Sequence, residues 1–132
     1  MHLRSERVHE ILLQVDPGRM WLGWPVGLRD GALLALLAAG LTPREISRLR
    51  ASAVTMYRGK VLVAVPRQGA TWYAALSGDL GGRLLAWLTE RRLWAEAAPV
   101  ITGPRGPLSP LSPRSIHKIL ERYRRQRKAR RC

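Results

Sequence analysis

Residues 31–54, GALLALLAAGLTPREISRLRASAV, constrain the fold more than any other part of the chain. The stretch opens with a run of leucine and alanine, which predicts a helix that is apolar all round and therefore central in its domain. Gly40 follows, a residue that readily adopts the left-handed conformation in which helices end. Thr42, Pro43 and Glu45 then predict a second helix, because they supply the N-cap, the first helical position and the acidic third position of a capping box.

Hydrophobic patterns continue on both sides of this stretch. Apolar residues at helical spacing predict further helices, and two strand-like runs around a Pro/Gly turn predict a hairpin. The expected class is α+β, mostly helical with a small antiparallel β-sheet. The predicted elements are helices over residues 5–15, 27–39, 42–51 and 79–94 and from 113 onward, with a β-hairpin over 60–76 whose turn spans 66–70.

Two groups of side chains near the central helix have less obvious roles. Met20, Trp21 and Trp24 lie in a loop broken by glycine and proline, and we expect them to pack as a lid on the core rather than to stack on bases. Arg29 and Asp30 provide almost the only polar face of the central helix. A helix of this kind is expected to lie in the centre of the domain.

The charge of the chain is strongly unbalanced, with 23 lysines and arginines against 9 acidic residues and a formal net charge of +14. The predicted last helix is the most basic segment. Basic groups gain affinity for a polyanion by releasing counterions from its phosphates, which favours a nucleic-acid partner. Charge alone does not distinguish DNA from RNA, and an arginine-rich composition with an exposed helix face is the alternative explanation.

Several other classes of protein are disfavoured. A chain of 132 residues with 46% hydrophobic residues predicts one globular domain. The single cysteine, Cys132, has no partner for an internal disulfide, and His2, His9 and His117 are scattered, so we expect no metal and no cofactor. No apolar run is long enough to span a membrane, and the N-terminal residues lack the apolar core of a signal peptide. We therefore expect a cytoplasmic location and no membrane partner.

The order of these elements resembles the catalytic domain of the tyrosine recombinases (the phage integrase family) over roughly residues 20–125. In that family a similar apolar helix leads into a T-G-L-R-x-x-E box, which corresponds here to A-G-L-T-P-R-E at residues 39–45. The family's L-S-P-x-S-I segment corresponds to residues 111–116. The resemblance implies that residues 1–132 form a single truncated integrase-like domain, the N-terminal portion of the catalytic domain, with a basic C-terminal helix and tail at 113–132.

The departures from the family pattern concern the catalytic residues. Thr42 occupies the position of the box arginine, and Arg44 lies two residues later, about 200° around the helix. Arg67 falls near the family's hairpin lysine, but a guanidinium that stays charged is a poor proton donor. No H-x-x-R follows the last predicted helix, and Tyr123 lies on its apolar stripe, so we expect a core tyrosine and not a nucleophile. We assign no catalytic residue and expect no strand cleavage by this chain alone.

The favoured hypothesis is a DNA-binding protein that contacts the phosphate backbone and modulates a full-length recombinase or pairs with itself. The first alternative is a helix-turn-helix regulator that uses LTPREISRLR as its first helix, although the strand-like segment that follows leaves no recognition helix. The second is a non-functional mobile-element remnant or a protein-interaction module. A remnant is expected to expose apolar surface. The predicted phosphate contacts are Arg44, Arg48, Arg67, Arg114, Lys118, Arg122 and Arg125.

Overall fold

A computed structural model describes residues 5–91, 96–106 and 108–131, and it describes side chains within residues 7–126 of those ranges. The fold is α+β and mostly helical, with a small antiparallel sheet, as predicted. The elements in chain order are α1 (Ser5–Leu12), α2 (Val26–Ala38), α3 (Pro43–Arg48), a 3₁₀ turn (Ala51–Ala53), β1 (Val54–Tyr57), β2 (Lys60–Arg67), β3 (Ala70–Leu76), α4 (Asp79–Arg91) and α5 (Pro113–Arg131).

The sheet has three strands in the order β1-β2-β3, one more than the predicted hairpin. The turn between β2 and β3 contains only Gln68 and Gly69, both with positive φ, which is the geometry of a tight two-residue hairpin. Arg67 therefore lies at the end of β2 and not in the turn as predicted. β1 pairs with β2 only as far as Val63, so Pro66, which has no N–H to donate, lies beyond the β1 ladder.

Helix α2 lies at the centre of the domain, as its apolar sequence predicts. Most of its leucines and alanines are buried, and it packs against both α1 and α4. Gly40, with φ +104°, ends the helix. The amides of Gly40 and Leu41 donate to the carbonyls of Leu37 and Leu36, the paired bonds of a Schellman motif.

The two polar residues that the sequence indicates on α2 are buried as well, because Arg29 and Asp30 are only 5% and 0% exposed. Arg29 Nε donates to Asp30 Oδ1 over 2.6 Å, and Arg29 Nη1 donates to the carbonyl of Thr102 over 3.1 Å. The hydroxyl of Tyr123 donates to Asp30 Oδ2 over 2.6 Å. Buried charge is tolerated when it is paired and hydrogen-bonded. This network ties α2 to α5 and to the segment around Thr102.

The predicted aromatic lid is confirmed only in part. Trp24 is half-buried and meets Trp87 of α4 edge to face, with ring centroids 5.7 Å apart. Met20 and Trp21, in contrast, are 55% and 54% exposed. Leu22 and Gly23 form a tight turn that is closed by two backbone hydrogen bonds between Trp21 and Trp24. This turn holds Met20 and Trp21 at the surface.

The lengths of α3, α4 and α5 are shorter than the predicted helices or similar to them. α3 ends at Arg48, because Leu49 already has extended backbone angles. The predicted end of α4 at position 94 lies outside the described residues. α5 begins after Ser112, whose hydroxyl accepts from the amide of Ser115 over 3.1 Å. The predicted apolar stripe of α5 is buried and consists of Ile116, Ile119, Leu120 and Tyr123.

Candidate nucleic-acid interface

The N-terminus of α3 is held by the predicted capping box. The amide of Glu45 donates to the Thr42 hydroxyl over 3.2 Å, and the amide of Thr42 donates to Glu45 Oε1 over 2.9 Å. Thr42 stands where the resemblance places the box arginine. Its hydroxyl accepts a backbone hydrogen bond, so this position supplies a helix cap instead of a cation.

Glu45 also binds Arg67, a contact that the sequence does not reveal. Arg67 Nε and Nη2 donate to the two carboxylate oxygens over 2.7 and 2.8 Å, a bidentate pair. Arg67 Nη2 also donates to the carbonyl of Gly40 over 2.9 Å, and its guanidinium lies 3.9 Å from the ring centroid of Trp72. Arg67 thereby links the end of β2 to the start of α3. Its charge is largely balanced by Glu45, which weakens its predicted role as a phosphate contact.

The same contact governs the ionisation of Glu45. Hydrogen bonding to Arg67 lowers the pKa of the Glu45 carboxyl to about 2, despite the opposing effect of partial burial. The folded pKa is thus below the ordinary value of 4.5. The ionised carboxylate therefore stabilises the fold above pH 4.5, and this contribution is lost as the pH falls from about 4.5 toward 2.

Replacing Glu45 with glutamine is expected to flatten the dependence of stability on pH below pH 4.5, because the group whose protonation differs between folded and unfolded states is removed. Urea unfolding of the wild type and the variant across this acid range measures the effect. Glu90→Gln is the control, since Glu90 is an exposed carboxylate of α4 with no ion pair in the described parts of the chain. An unchanged pH dependence in Glu45→Gln would contradict the prediction.

The remaining predicted phosphate contacts lie on two helices that pack against each other, α3 and α5. Arg44 and Arg48 are exposed on α3. On α5, Arg125 is exposed but lies 3.8 Å from a carboxylate oxygen of Glu121, which offsets part of its charge although the same carboxylate also accepts from Arg124 over 3.3 Å. Between residues 7 and 126, where side chains are described, the other predicted cations have no ion pair. The exposed cations of α5 are Arg114, Lys118, Arg122 and Arg125.

A pocket of about 440 Å³ lies beside α5 and adds residues that the sequence reasoning missed. Arg19 and Trp21, from the segment before α2, line it together with Lys118 and Arg122 of α5. The sequence does not predict Arg19 as a site residue, because it lies in an irregular loop where no periodic pattern shows which way a side chain points. We call this site the cationic pocket.

Tyr123 is poorly placed for chemistry on DNA. It is buried, and its hydroxyl donates to Asp30. Burial, together with the nearby Asp30 carboxylate, raises the pKa of the Tyr123 phenol. A nucleophile needs an accessible, activated oxygen, and this hydroxyl is neither accessible nor easily deprotonated.

The described part of the chain contains no group of three or more His, Cys, Asp or Glu residues that could hold a metal ion. None of its helices is both long and apolar enough to cross a bilayer.

The fold is of the tyrosine-recombinase type. Two solved structures of the XerH site-specific recombinase superimpose on 92% of this chain. The pre-cleavage complex with the difH substrate matches with a TM-score of 0.68 at 21% identity, and the chain covers 35% of that protein. The post-cleavage complex with a palindromic difH substrate matches with a TM-score of 0.69 at 22% identity and 34% coverage.

The chain thus spans about a third of the length of the recombinase that it resembles. No family model and no curated protein matches the sequence. The resemblance drawn from the order of motifs is confirmed for the fold. The truncated and degenerate character of the domain, and its extent over residues 1–132, stay predictions.

Proposed function

We propose that this protein is a recombinase-like DNA-binding protein that contacts the phosphate backbone of duplex DNA and does not cleave it. The observation that carries the proposal is the pair of adjacent helices, α3 and α5, with exposed cations on a recombinase-like fold. The XerH structures that share this fold are complexes with DNA substrates. Cations of this kind fix a protein on the backbone and carry no sequence information directly.

Five cations carry most of the proposed affinity. They are exposed and have no ion pair among the side chains that the structure describes, so each can displace a counterion from a phosphate. Arg67 and Arg125 contribute less, because Glu45 and Glu121 offset their charges. The five principal cations are Arg44, Arg48, Arg114, Lys118 and Arg122.

The proposed lack of cleavage rests on two positions. Thr42 caps α3 where the family's phosphate-binding arginine is expected, and the Tyr123 hydroxyl is buried against Asp30. Losing one preorganised charge from a transition state typically costs about 100-fold or more in rate. A protein that occupies DNA without cutting it competes for sites with a full-length recombinase, which is the modulatory role that we propose.

The helix-turn-helix alternative has no support in this geometry. Leu49 is extended after α3, and the chain continues into the 3₁₀ turn and β1. A recognition helix is thus missing from the place where that motif requires one.

Binding of the purified protein to a labelled duplex across a salt series tests the proposal. We expect affinity to fall steeply with salt, and the slope to decrease by about 0.9 for each phosphate contact removed. The triple variant Arg44→Gln, Arg48→Gln, Arg114→Gln should therefore lower the slope by about 2 to 3. The same reactions are examined for nicked product, and none is expected.

A matched triple variant distinguishes the effect of losing the α3 and α5 cations from the effect of lowering the net charge. It neutralises three exposed arginines outside the α3 and α5 surface, and it should retain most of the salt dependence. Equal losses in both triple variants, or no binding at low salt, would refute the proposal and leave the remnant or protein-interaction hypothesis. A nicked product would refute the proposed lack of cleavage. The control substitutions are Arg7→Gln, Arg58→Gln and Arg105→Gln.

A further inference from the structure

The cationic pocket has the size and charge of a ligand site. Its volume of about 440 Å³ falls within the range of small-molecule pockets, about 300–1,000 Å³. None of the described residues that line it is acidic. It lies open to solvent between α5 and the segment that leads into α2, so a chain end or a single nucleotide can enter it.

Three of the four cations in the pocket are uncompensated. The charge of Arg29 is balanced by Asp30 at 2.6 Å. Arg19, Lys118 and Arg122 have no ion pair among the side chains described between residues 7 and 126. Converging cations without a carboxylate favour an anion, and a phosphate satisfies several donors at once.

The walls of the pocket include two indole rings. Trp24 contacts the ring of Trp87 and the Arg29 guanidinium, which lies 4.9 Å from its ring centroid. Trp21 is 54% exposed and has a ring available at the rim. Aromatic side chains beside cations are the usual combination for an unpaired base and its phosphate.

Backbone packing fixes the position of Arg19. The amide of Gly27 donates to the carbonyl of Arg19 over 3.0 Å. A Cβ at position 27 would lie 2.0 Å from the carbonyl oxygen of Asp16, so only glycine allows the loop to approach α2 this closely. The backbone that carries Arg19 is therefore held against the start of α2.

We infer that the cationic pocket holds one unpaired nucleotide of a DNA strand, with the phosphate on Arg19, Lys118 and Arg122 and the base against Trp21. A base inside a duplex is stacked on both faces and must leave the stack to enter such a pocket. The inference rests on the proposed DNA binding and adds a preference for strand ends or single-stranded positions.

A comparison of two labelled probes tests this inference: a blunt duplex and the same duplex with a short single-stranded thymidine overhang. Stacking of one base on an aromatic ring corresponds to roughly a 5- to 150-fold change in affinity, so the wild type should bind the overhang probe about tenfold more tightly. Trp21→Ala and Arg19→Gln should lose this preference and retain most of the affinity for the blunt duplex. Unchanged circular dichroism of each variant shows that it is folded.

Met20→Ala is the matched control, because Met20 neighbours Trp21, is equally exposed and does not line the pocket. It should keep the preference for the overhang. If the protein binds the blunt duplex tightly and the overhang adds no affinity, the inference about the pocket is wrong while the proposed function stands. Failure to bind either probe would refute the proposed function itself. A preference that survives in Trp21→Ala would also overturn the inference, since the overhang would then be held elsewhere.

Discussion

Replacing Asp30 with alanine is expected to destabilise the protein by about 3–5 kcal/mol, the usual effect of removing one partner from a buried ion pair. Asp30 is fully buried and accepts from both Arg29 and Tyr123 over 2.6 Å. Its loss leaves a buried guanidinium without a counter-charge and a buried hydroxyl without an acceptor. Urea unfolding followed by circular dichroism measures the change.

A surface ion pair provides the control for this prediction. Asp79, whose side chain is 67% exposed, pairs with Arg83 one turn along α4, and Asp79→Ala should cost less than about 1 kcal/mol. The double variant Arg29→Leu, Asp30→Leu should lose less stability than Asp30→Ala, because no unpaired charge stays buried. A loss in Asp30→Ala no larger than that in Asp79→Ala would contradict the assigned role of the network.

Replacing Trp87 with alanine is expected to cost about 3–5 kcal/mol, the usual range for removing a large aromatic side chain from a core. Trp87 is almost fully buried and meets Trp24 edge to face. Its indole Nε1 donates to the carbonyl of Val100 over 2.8 Å, which ties α4 to the segment that precedes α5. Thermal and urea unfolding of the variant measure the loss.

The matched control for Trp87 is Trp21→Ala, which removes the same side chain from an exposed position. Surface substitutions of this kind typically change stability by about 0.5 kcal/mol or less. Since Trp87 also supports the ring of Trp24, its removal should weaken the pocket's preference for an overhang. Equal stability of the two tryptophan variants would show that Trp87 is not a core residue.

The Asp30 network also bears on the proposed function. Tyr123 connects α5 to the central helix, because its hydroxyl donates to the buried carboxylate of Asp30. Thr42 is similarly committed to capping α3. Thr42 and Tyr123 therefore both make structural interactions, and the proposal that this protein does not cleave DNA rests on these two positions.

Features that depend on neighbouring residues could be predicted from the sequence. The sequence predicts three such features, because each depends on residues within a few positions of one another: the capping box at Thr42 and Glu45, the helix end at Gly40 and the buried stripe of α5. The order of these local elements was enough to indicate the fold class and the recombinase-like arrangement. The exposed cations of α3 and α5 also follow from helical periodicity.

The tertiary structure alone decided which polar groups meet. Asp30 and Tyr123 are 93 residues apart, and Glu45 and Arg67 are 22 apart. Hydrophobic periodicity identifies the side of a helix that is buried, but it carries no information about a distant partner that makes burial of a charge favourable. For this reason the sequence indicates Arg29 and Asp30 as polar residues on α2 and Arg67 as a phosphate contact, but not their partners. Only the folded chain pairs Asp30 with Tyr123 and Arg67 with Glu45, and only the folded chain places Arg19 beside α5.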